Sequence, residues 1–535
     1  MADKFKVLVS DNLSEEGVNI LKDGGLDVTV KTGMSPEELI AEIPPYDAIL
    51  IRSGTKVVKA VIDAADNLKV IGRAGVGVDN VDVPAATDRG IIVMNVPGGN
   101  TVSTAEHSFA MLMALARNIG PAYGSMKEGK WDRKKYVGTE LNGKTIGIVG
   151  LGRIGTEVAK RAKSFNMKLL AYDPFLNKEK AEALGVEPKE LDDLLKESDF
   201  ITLHLPKGPE TMHLIDAEKL ALLKPTAFII NCARGGIIDE QALYDVLKEG
   251  KIKGAALDVY EKEPPAPEER PLLEFENCLL VPHLGASTKE AQLNVATEMA
   301  HQVVDALTKD DIRNALNIPY VEASLREILG PFTVLGEHLG SMAAQLFEGA
   351  LKKVTVTYSG DIVDHDCSYV TVAITKGIFT EIMDLGVNYV NAPVIAKNRG
   401  VNISEVKSSD IVGFTNLVSV QLEDDKGESL TVTGTIFPVT KEPRIVRLDG
   451  YHMDAIPKGY MLVVRNNDKP GVVGLVGTIL GDNGLNIADM TLGRQEKGKA
   501  AVLVLNVDDK PSDELIKKLE DNADIISAKV VYLPQ

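Results

Sequence analysis

Apolar and polar positions along this chain repeat in a recognisable unit. "FKVLVSD", "LDVTVKTG", "DAILIRSG" and "LKVIGRAGVGVDN" are short β-branched runs that end in turn residues. "SEEGVNILKDG", between the first two, reads as a helix. Strand–helix alternation of this kind predicts βαβ units around a parallel sheet. "NTVSTAEHSFAMLMALARNIG" predicts a longer helix, opened by a capping-box pattern between Ser103 and Glu106. Alternation resumes at "KTIGIVGLGRIGTEVAKRAKSF" and runs on through "MKLLAYDP", "SDFITLHLP", "AFIINCARGG", "IKGAALDVY" and "CLLVPHLGAS". This block predicts a second doubly wound domain.

From about residue 316 the pattern changes. "VTVTYSG", "LVSVQLEDDKGESLTVTGTIF" and "PRIVRLDGY" are strands rich in Val and Thr, with "DDKGES" as a hairpin turn. A mixed α/β domain is expected there. The last ~80 residues alternate as strand, helix, two strands, helix, strand, which is the ferredoxin-like order.

Composition narrows the class. Hydrophobic residues make up 44% and charged residues 25%, an ordinary globular balance. The net charge of −18 argues against nucleic acid as the main partner, because phosphate contacts need a basic surface. It leaves room for an anionic substrate at a local cluster of Arg and Lys. Three cysteines, Cys232, Cys278 and Cys367, are too few and too scattered for a disulfide framework or a zinc site, so no metal is expected. The start "MADKFKVLVSDNL" has no apolar segment of signal-peptide type, and no run is long enough for a membrane span. The expectation is a cytoplasmic protein.

Gly150, Gly152 and Gly155 form G-x-G-x-x-G after a strand and at the opening of a helix, and Asp173 ends the next strand. That context makes a dinucleotide site, where the motif alone would be weak. Gly150 makes the tight turn, Gly152 admits a pyrophosphate, and Gly155 lets helix and strand pack closely. Asp173 would accept from a ribose diol and repel a 2′-phosphate, so NAD is expected over NADP. Lys178, five residues on, leaves some NADP use open. Gly75-x-Gly77 in "GRAGVGVDN" lacks the rest of the motif. It is either a plain turn or a loop offering N–H groups to an anion.

Three strand ends of the middle block carry candidate chemistry: Arg234 in "CARGG", Glu263 in "DVYEKEPP" and His283 in "VPHLGAS". Ligands of open α/β sheets bind at strand carboxyl ends. His283 is the best base, because imidazole titrates near neutral pH. Glu263 would hold its ring, and Arg234 offers a planar fork for a carboxylate. Each alone also fits a bland role: a capped loop His, a solvated Glu, a surface Arg. Periodicity does not bring the three together.

With "VGLGRIG", "CARGGIIDE", "ALDVYEKEPP" and "VPHLGAST" in that order, the chain resembles the D-isomer-specific 2-hydroxyacid dehydrogenases. The resemblance implies an α/β fold of two doubly wound parallel-sheet domains, a flavodoxin-like substrate domain and a Rossmann nucleotide domain. It makes Arg234, Glu263 and His283 the catalytic set. It also implies cofactor contacts from Gly150, Gly152, Arg153, Ile154, Gly155, Asp173, His204, Pro206, Cys232, Ala233, Asp258, His283 and Gly285. "IRSGTKV", "AGVGVDN" and "WDRKKYVGTEL" extend the likeness to the long-form phosphoglycerate dehydrogenases, over essentially the whole chain. These add a mixed α/β intervening domain and a ferredoxin-like ACT domain. The implied boundaries are 1–99 with 288–315 for the substrate domain, 100–287 for the NAD domain, 316–455 for the intervening domain and 456–535 for the ACT domain.

The implied reaction is NAD-dependent oxidation of 3-phospho-D-glycerate to 3-phosphohydroxypyruvate, the first step of L-serine synthesis. Arg52, Ser53, Gly75, Val76, Asn100 and Arg234 would line the substrate pocket. Arg133, beside Lys134, Lys135 and the single tryptophan Trp131, would clamp the phosphate from a neighbouring subunit of a homodimer or homotetramer, or else sit on a solvated loop. In the ACT domain Asn466 and Asp468, read as loop residues, and Asn486, at the start of the next strand, would bind L-serine between paired domains. Their other role is ordinary loop capping. Pro470 and Gly471 are read as opening the helix after that loop. Lys441, Arg444 and Arg447 read more readily as a solvated strand face than as a second anion site. Two other readings compete: a dehydrogenase of glyoxylate or hydroxypyruvate, and a non-catalytic NAD-sensing protein. The basic cluster and the appended domains argue against the first, and the appended domains and the acidic charge against the second.

Overall fold

A computed structural model of the chain describes residues 4–265, 271–309, 311–319, 323–383, 386–408 and 413–534, without the side chains of 323–324. Four sheets follow one another. The first is all parallel, with spatial order Asp27–Val30, Lys6–Val9, Ala48–Ile51, Val70–Arg73, Ile92–Met94. That is the flavodoxin-like 2-1-3-4-5 order. Buried Val, Ile and Leu fill its strands because helices cover both faces. One cover is the returning helix Lys289–Lys309, whose Val295, Met299 and Val303 join the core of Val7, Val9 and Leu50.

The second sheet is parallel too, with order Cys278–Leu280, Gly254–Leu257, Phe228–Asn231, Phe200–Leu203, Thr145–Val149, Lys168–Tyr172, Glu187–Pro188. The order reverses between Thr145–Val149 and Phe200–Leu203, the place where such folds bind nucleotides. Helix Thr101–Ala116 leads from the first domain into the core of the second through Ala105, Phe109 and Leu112. The expected capping box at its start is absent. The N-cap is Asn100, without a side-chain cap, Ser103 lies within the helix, and Glu106 pairs with Arg161 at 3.0 Å. Ser103 is held elsewhere by a long-range bond, so the local pattern lost to a tertiary contact.

Helix Ala323–Leu346 packs with Ser368–Ile382 against a six-stranded mixed sheet, Asn402–Ser408 through Tyr451–Ala455. The "DDKGES" turn joins antiparallel strands Asn416–Asp424 and Ser429–Ile436 as expected, with Gly427 at φ 85°. The terminal domain is a four-stranded antiparallel sheet, order Ile487–Arg494, Ala500–Val507, Gly459–Asn467, Ile525–Leu533, with two helices. Met461, Val463, Val504 and Val531 of that sheet belong to the same core as the six-stranded sheet, so the two C-terminal domains share apolar packing.

Two local features differ from the sequence expectation. Asn466 is not on a loop. It lies in strand Gly459–Asn467, is buried, and its amide donates to Asn467 O at 2.8 Å. Helix Val472–Asp482 starts after Gly471, which caps it at φ 96°, so Pro470 precedes the helix. Among the described residues no helix is long and apolar enough to cross a membrane.

Candidate active site

The carboxyl ends of both parallel sheets converge on two adjoining pockets of ≈ 410 Å³ each. Asn100, His283 and Ala286 line both. The first pocket is walled by Val76, Arg153, Ile154, His204, Pro206, Cys232, Ala233, Arg234, Asp258 and Gly285. The second is walled by Arg52, Ser53, Arg73, Gly75 and Glu263. Many of the sequence-read residues from both domains thus meet around one imidazole, while Gly150, Gly152, Gly155 and Asp173 line neither pocket.

The Glu263–His283 pair is formed. His283 Nδ1 lies 2.7 Å from Glu263 Oε2. Glu263 Oε1 also accepts from the Tyr260 N–H at 3.0 Å, which fixes the carboxylate. The hydrogen bond to Glu263 holds the imidazole above its ordinary range, against burial and Arg234, which pull it down. Burial would raise Glu263, but the His283 and Tyr260 hydrogen bonds outweigh it and leave the carboxyl below its usual range. The result is a tethered ring with Nε2 left for chemistry, the arrangement a general base requires.

Arg234 follows the buried strand Phe228–Asn231. Asn231 fixes the turn: its amide donates to Arg234 O at 2.9 Å and accepts from Ala233 N–H at 3.0 Å. Arg234 Nε donates to Asp79 at 3.0 Å, and an Nη donates to Ala233 O at 2.7 Å. Gly235 has no room for a side chain, since a Cβ there would run into the Tyr260 carbonyl. That close approach ties the Arg234 turn to the segment that carries Glu263.

Sequence reasoning missed Arg73. It ends strand Val70–Arg73, lines the Arg52 pocket, and keeps a buried Nε with no partner. Burial, together with repulsion from Arg234 and Arg52, pushes its pKa down to about 10. Three guanidiniums so close to one another favour an anion strongly. The signal was the one that exposed Arg234, an arginine at a strand end before glycines.

The glycine turn fits a dinucleotide. Gly150 has φ 94° and faces the His204 carbonyl, and a Cβ at Gly155 would meet the Gly150 carbonyl. At Gly152 a Cβ would meet nothing within 4 Å, so open space lies where a pyrophosphate would approach. Helix Arg153–Ser164 begins there without a side-chain cap, which leaves its first N–H groups for an anion. Asp173 accepts from Leu151 N–H at 2.8 Å and Phe175 N–H at 2.9 Å, so it also braces the glycine loop. Lys178 is exposed. Partly buried His204 is pushed down to about 3 by desolvation and hydrogen-bonds Thr202 at 2.9 Å, so it is a neutral wall. Cys232 is likewise an inert thiol, pushed up to about 12 by burial.

The remaining candidate residues are scattered. Arg133 and Trp131 lie exposed and outside both pockets of this chain, and Lys135 pairs with Glu276 at 2.7 Å. Arg444 is paired with Glu442 and Asp454, at 2.8 and 3.2 Å. Asp468 accepts from Gly498 N–H at 2.9 Å. Asn486 donates to Asp508 at 2.8 Å. Strand register puts Asp468 beside Asn467 and Ala500, and Asn486 beside Ile487 and Val507. These are opposite ends of the sheet, roughly 20 Å apart at ~3.3 Å per residue, so one chain does not bring them together.

Comparison with known proteins agrees with this geometry. The family model for the D-isomer specific 2-hydroxyacid dehydrogenase NAD binding domain matches residues 109–285. Those for the D-3-phosphoglycerate dehydrogenase intervening domain and the ACT domain match 328–449 and 460–524. A D-3-phosphoglycerate dehydrogenase of Archaeoglobus fulgidus is 47% identical over 99% of this chain and 100% of its own length. The chain belongs to the D-3-phosphoglycerate dehydrogenase family. The namesake of Methanocaldococcus jannaschii is 44% identical, again over 99% of this chain and 100% of its own. Among solved structures, a D-lactate dehydrogenase from Aquifex aeolicus complexed with NAD and lactic acid matches 59% of this chain and all of its own, at 29% identity and TM-score 0.53. A glyoxylate reductase from Paecilomyes thermophila matches 59% of this chain and 99% of its own, at TM-score 0.55 and 29% identity. As a member of this family the chain is an NAD-dependent oxidoreductase.

Proposed function

We propose that the chain oxidises 3-phospho-D-glycerate to 3-phosphohydroxypyruvate with NAD, the first step of L-serine synthesis. The carrying observation is the tethered His283 between a pocket lined by Arg52 and Arg73 and an adjoining one lined by Arg234, in a chain that matches named D-3-phosphoglycerate dehydrogenases from end to end. The division into domains at 1–99 with 288–315, 100–287, 316–455 and 456–535 is part of the proposal.

Arg234 binds the substrate carboxylate through its guanidinium fork and orients C2. Arg52, Ser53, Gly75, Val76 and Asn100 complete the pocket, and Arg73 adds buried positive charge to it. His283 takes the C2 hydroxyl proton at Nε2, and Glu263 stabilises the imidazolium that forms. Gly150, Gly152, Gly155, Arg153 and Ile154 hold the pyrophosphate end of NAD. Asp173 takes the ribose diol, His204 and Pro206 the adenosine side, and Cys232, Ala233, Asp258 and Gly285 the nicotinamide end. When bound, NAD supplies the hydride acceptor.

Arg133 of one subunit reaches the substrate phosphate of its neighbour, which makes the working form a homodimer or homotetramer in the cytoplasm. The ACT domain takes a small-molecule effector, which we propose is L-serine. Asp468 of one ACT domain would take the ammonium and Asn486 of a paired one the carboxylate or hydroxyl, an arrangement supported by their separation within one chain. Asn466, buried in its strand, supports that loop. The test follows NADH from 3-phospho-D-glycerate and NAD, with product removed, with and without L-serine. Turnover lowered by serine is expected. Turnover with D-glycerate or glyoxylate but none with the phosphorylated acid would overturn the substrate assignment.

A further inference from the structure

His283 stands in an unfavourable backbone state. Its φ is 52°, in the left-handed region that side chains with a Cβ rarely adopt. Such a conformation persists only when neighbouring groups over-determine it. The two residues that follow it, Leu284 and Gly285, do so. Every backbone polar group of that pair has a partner. Asp258, fully buried, accepts from Leu284 N–H at 2.6 Å and from Gly285 N–H at 2.9 Å, one on each carboxylate oxygen. Leu284 O accepts from Ser287 N–H at 2.8 Å. Gly285 O accepts from two hydroxyls, Ser103 at 2.8 Å and Thr104 at 3.2 Å.

The two hydroxyls are unusual in where they point. Serine and threonine inside a helix commonly return their hydroxyl to the carbonyl four residues back. Ser108 of the same helix does this, donating to Thr104 O at 2.8 Å. Ser103 and Thr104 instead leave helix Thr101–Ala116 and meet on one carbonyl more than 180 residues away. One turn further along, His107 places Nε2 3.2 Å from Asp258 Oδ1, off the line of a well-aligned hydrogen bond but close enough to favour the buried carboxylate. Burial would raise Asp258. The imidazole and the two N–H groups hold it below its usual range, so it remains an acceptor. Ser103, Thr104 and His107 are thus on one face of the helix, and all act on the segment behind His283. The same helix starts directly after Asn100, which lines both pockets.

We propose that Ser103 and Thr104, with His107 acting through Asp258, are positioning residues for the catalytic imidazole. They clamp the Leu284–Gly285 peptide and so aim His283 at the substrate hydroxyl. The clamp rests on the reading of His283 as the base. It links the start of the interdomain helix, beside the substrate pocket, to the ring that moves the proton. Ser103 lines neither pocket, whereas Thr104 also lines the first. The effect of Ser103 passes through the backbone.

The test compares Ser103→Ala, Ser103→Thr, the double variant Ser103→Ala/Thr104→Val and His283→Ala in the full chain. The readouts are kcat, the KM for the hydroxy acid, the pH profile of kcat and the melting temperature. The double variant should lose kcat ~10-fold through misplacement of the base, while the KM for the hydroxy acid moves less. Its pH limb should shift to lower pH, because the ring disengages from Glu263. Ser103→Thr, which keeps the hydroxyl, should behave as the unsubstituted chain. An unchanged kcat in the double variant, beside an inactive His283→Ala, would overturn the clamp and leave the base assignment standing. A lowered melting temperature with an unmoved pH limb would also overturn it, by showing a structural role only. Full activity in His283→Ala would remove the base assignment and the clamp with it.

Discussion

His283 Nδ1 and Glu263 Oε2 lie 2.7 Å apart, and this pairing sets the direction of every pH effect at the site. Oxidation needs a neutral imidazole, so kcat for the hydroxy acid rises with pH through the His283 pKa. Reduction of the keto acid needs the imidazolium, so its rate falls through the same pKa. Glu263→Gln removes the largest cause of the raised value, and both limbs should move to lower pH. Steady-state pH profiles in both directions check this. Limbs that stay in place would separate Glu263 from the titrating group.

Arg73→Met should raise the KM for the phosphorylated acid while the KM for NAD changes little. The residue lines the Arg52 pocket and not the one walled by Arg153 and His204. Replacing a charge-assisted contact costs ~1.5–3 kcal/mol, on the order of a 10–100-fold change. Initial rates with each substrate varied in turn decide it.

Arg133→Ala should weaken the phosphorylated acid alone. A non-phosphorylated 2-hydroxy acid that suffers equally would show that the loop does not bind phosphate. Mixing inactive His283→Ala with Arg133→Ala chains then tests reach between subunits, since shared sites restore part of the activity.

Gly235→Ala should cost ~1–3 kcal/mol of stability, because the new methyl meets a backbone carbonyl, that of Tyr260, which has no flexible end to move. Activity should fall further than stability, because displacing Tyr260 releases its N–H from Glu263. Thermal melts and kcat on the same preparation compare the two.

Asp173→Ala should narrow the preference for NAD over NADP, measured as the ratio of kcat/KM. It should also loosen the glycine turn, since Leu151 and Phe175 lose their acceptor. An unchanged ratio would mean that Asp173 only braces the loop.

Much of this site was legible because it is built at strand ends. Gly150, Asp173, His204, Arg234, Asp258 and His283 each follow a short apolar run. Arg73 is an equally plain strand-end arginine, but the glycines after it fit an ordinary turn as well as an anion loop. Ser103 was misread because a capping box is a local pattern, while its partner, Gly285, is brought near only by the fold. Asn466 was misplaced because a strand that ends in "RNND" looks like a turn, and pairing with Ala501 and Ile525 carries it into the sheet. The ACT residues were legible one by one, but their separation follows from register, which the sequence does not print.

The most direct test of the account is NADH formation from 3-phospho-D-glycerate and NAD, with product removed, by the unsubstituted chain and by His283→Ala side by side. Steady turnover is expected from the first and a ~10²–10⁴-fold loss in the second, the usual range for a positioned acid–base group. Equal rates in the two, or no NADH from the phosphorylated acid under conditions where glyoxylate is reduced, would contradict it.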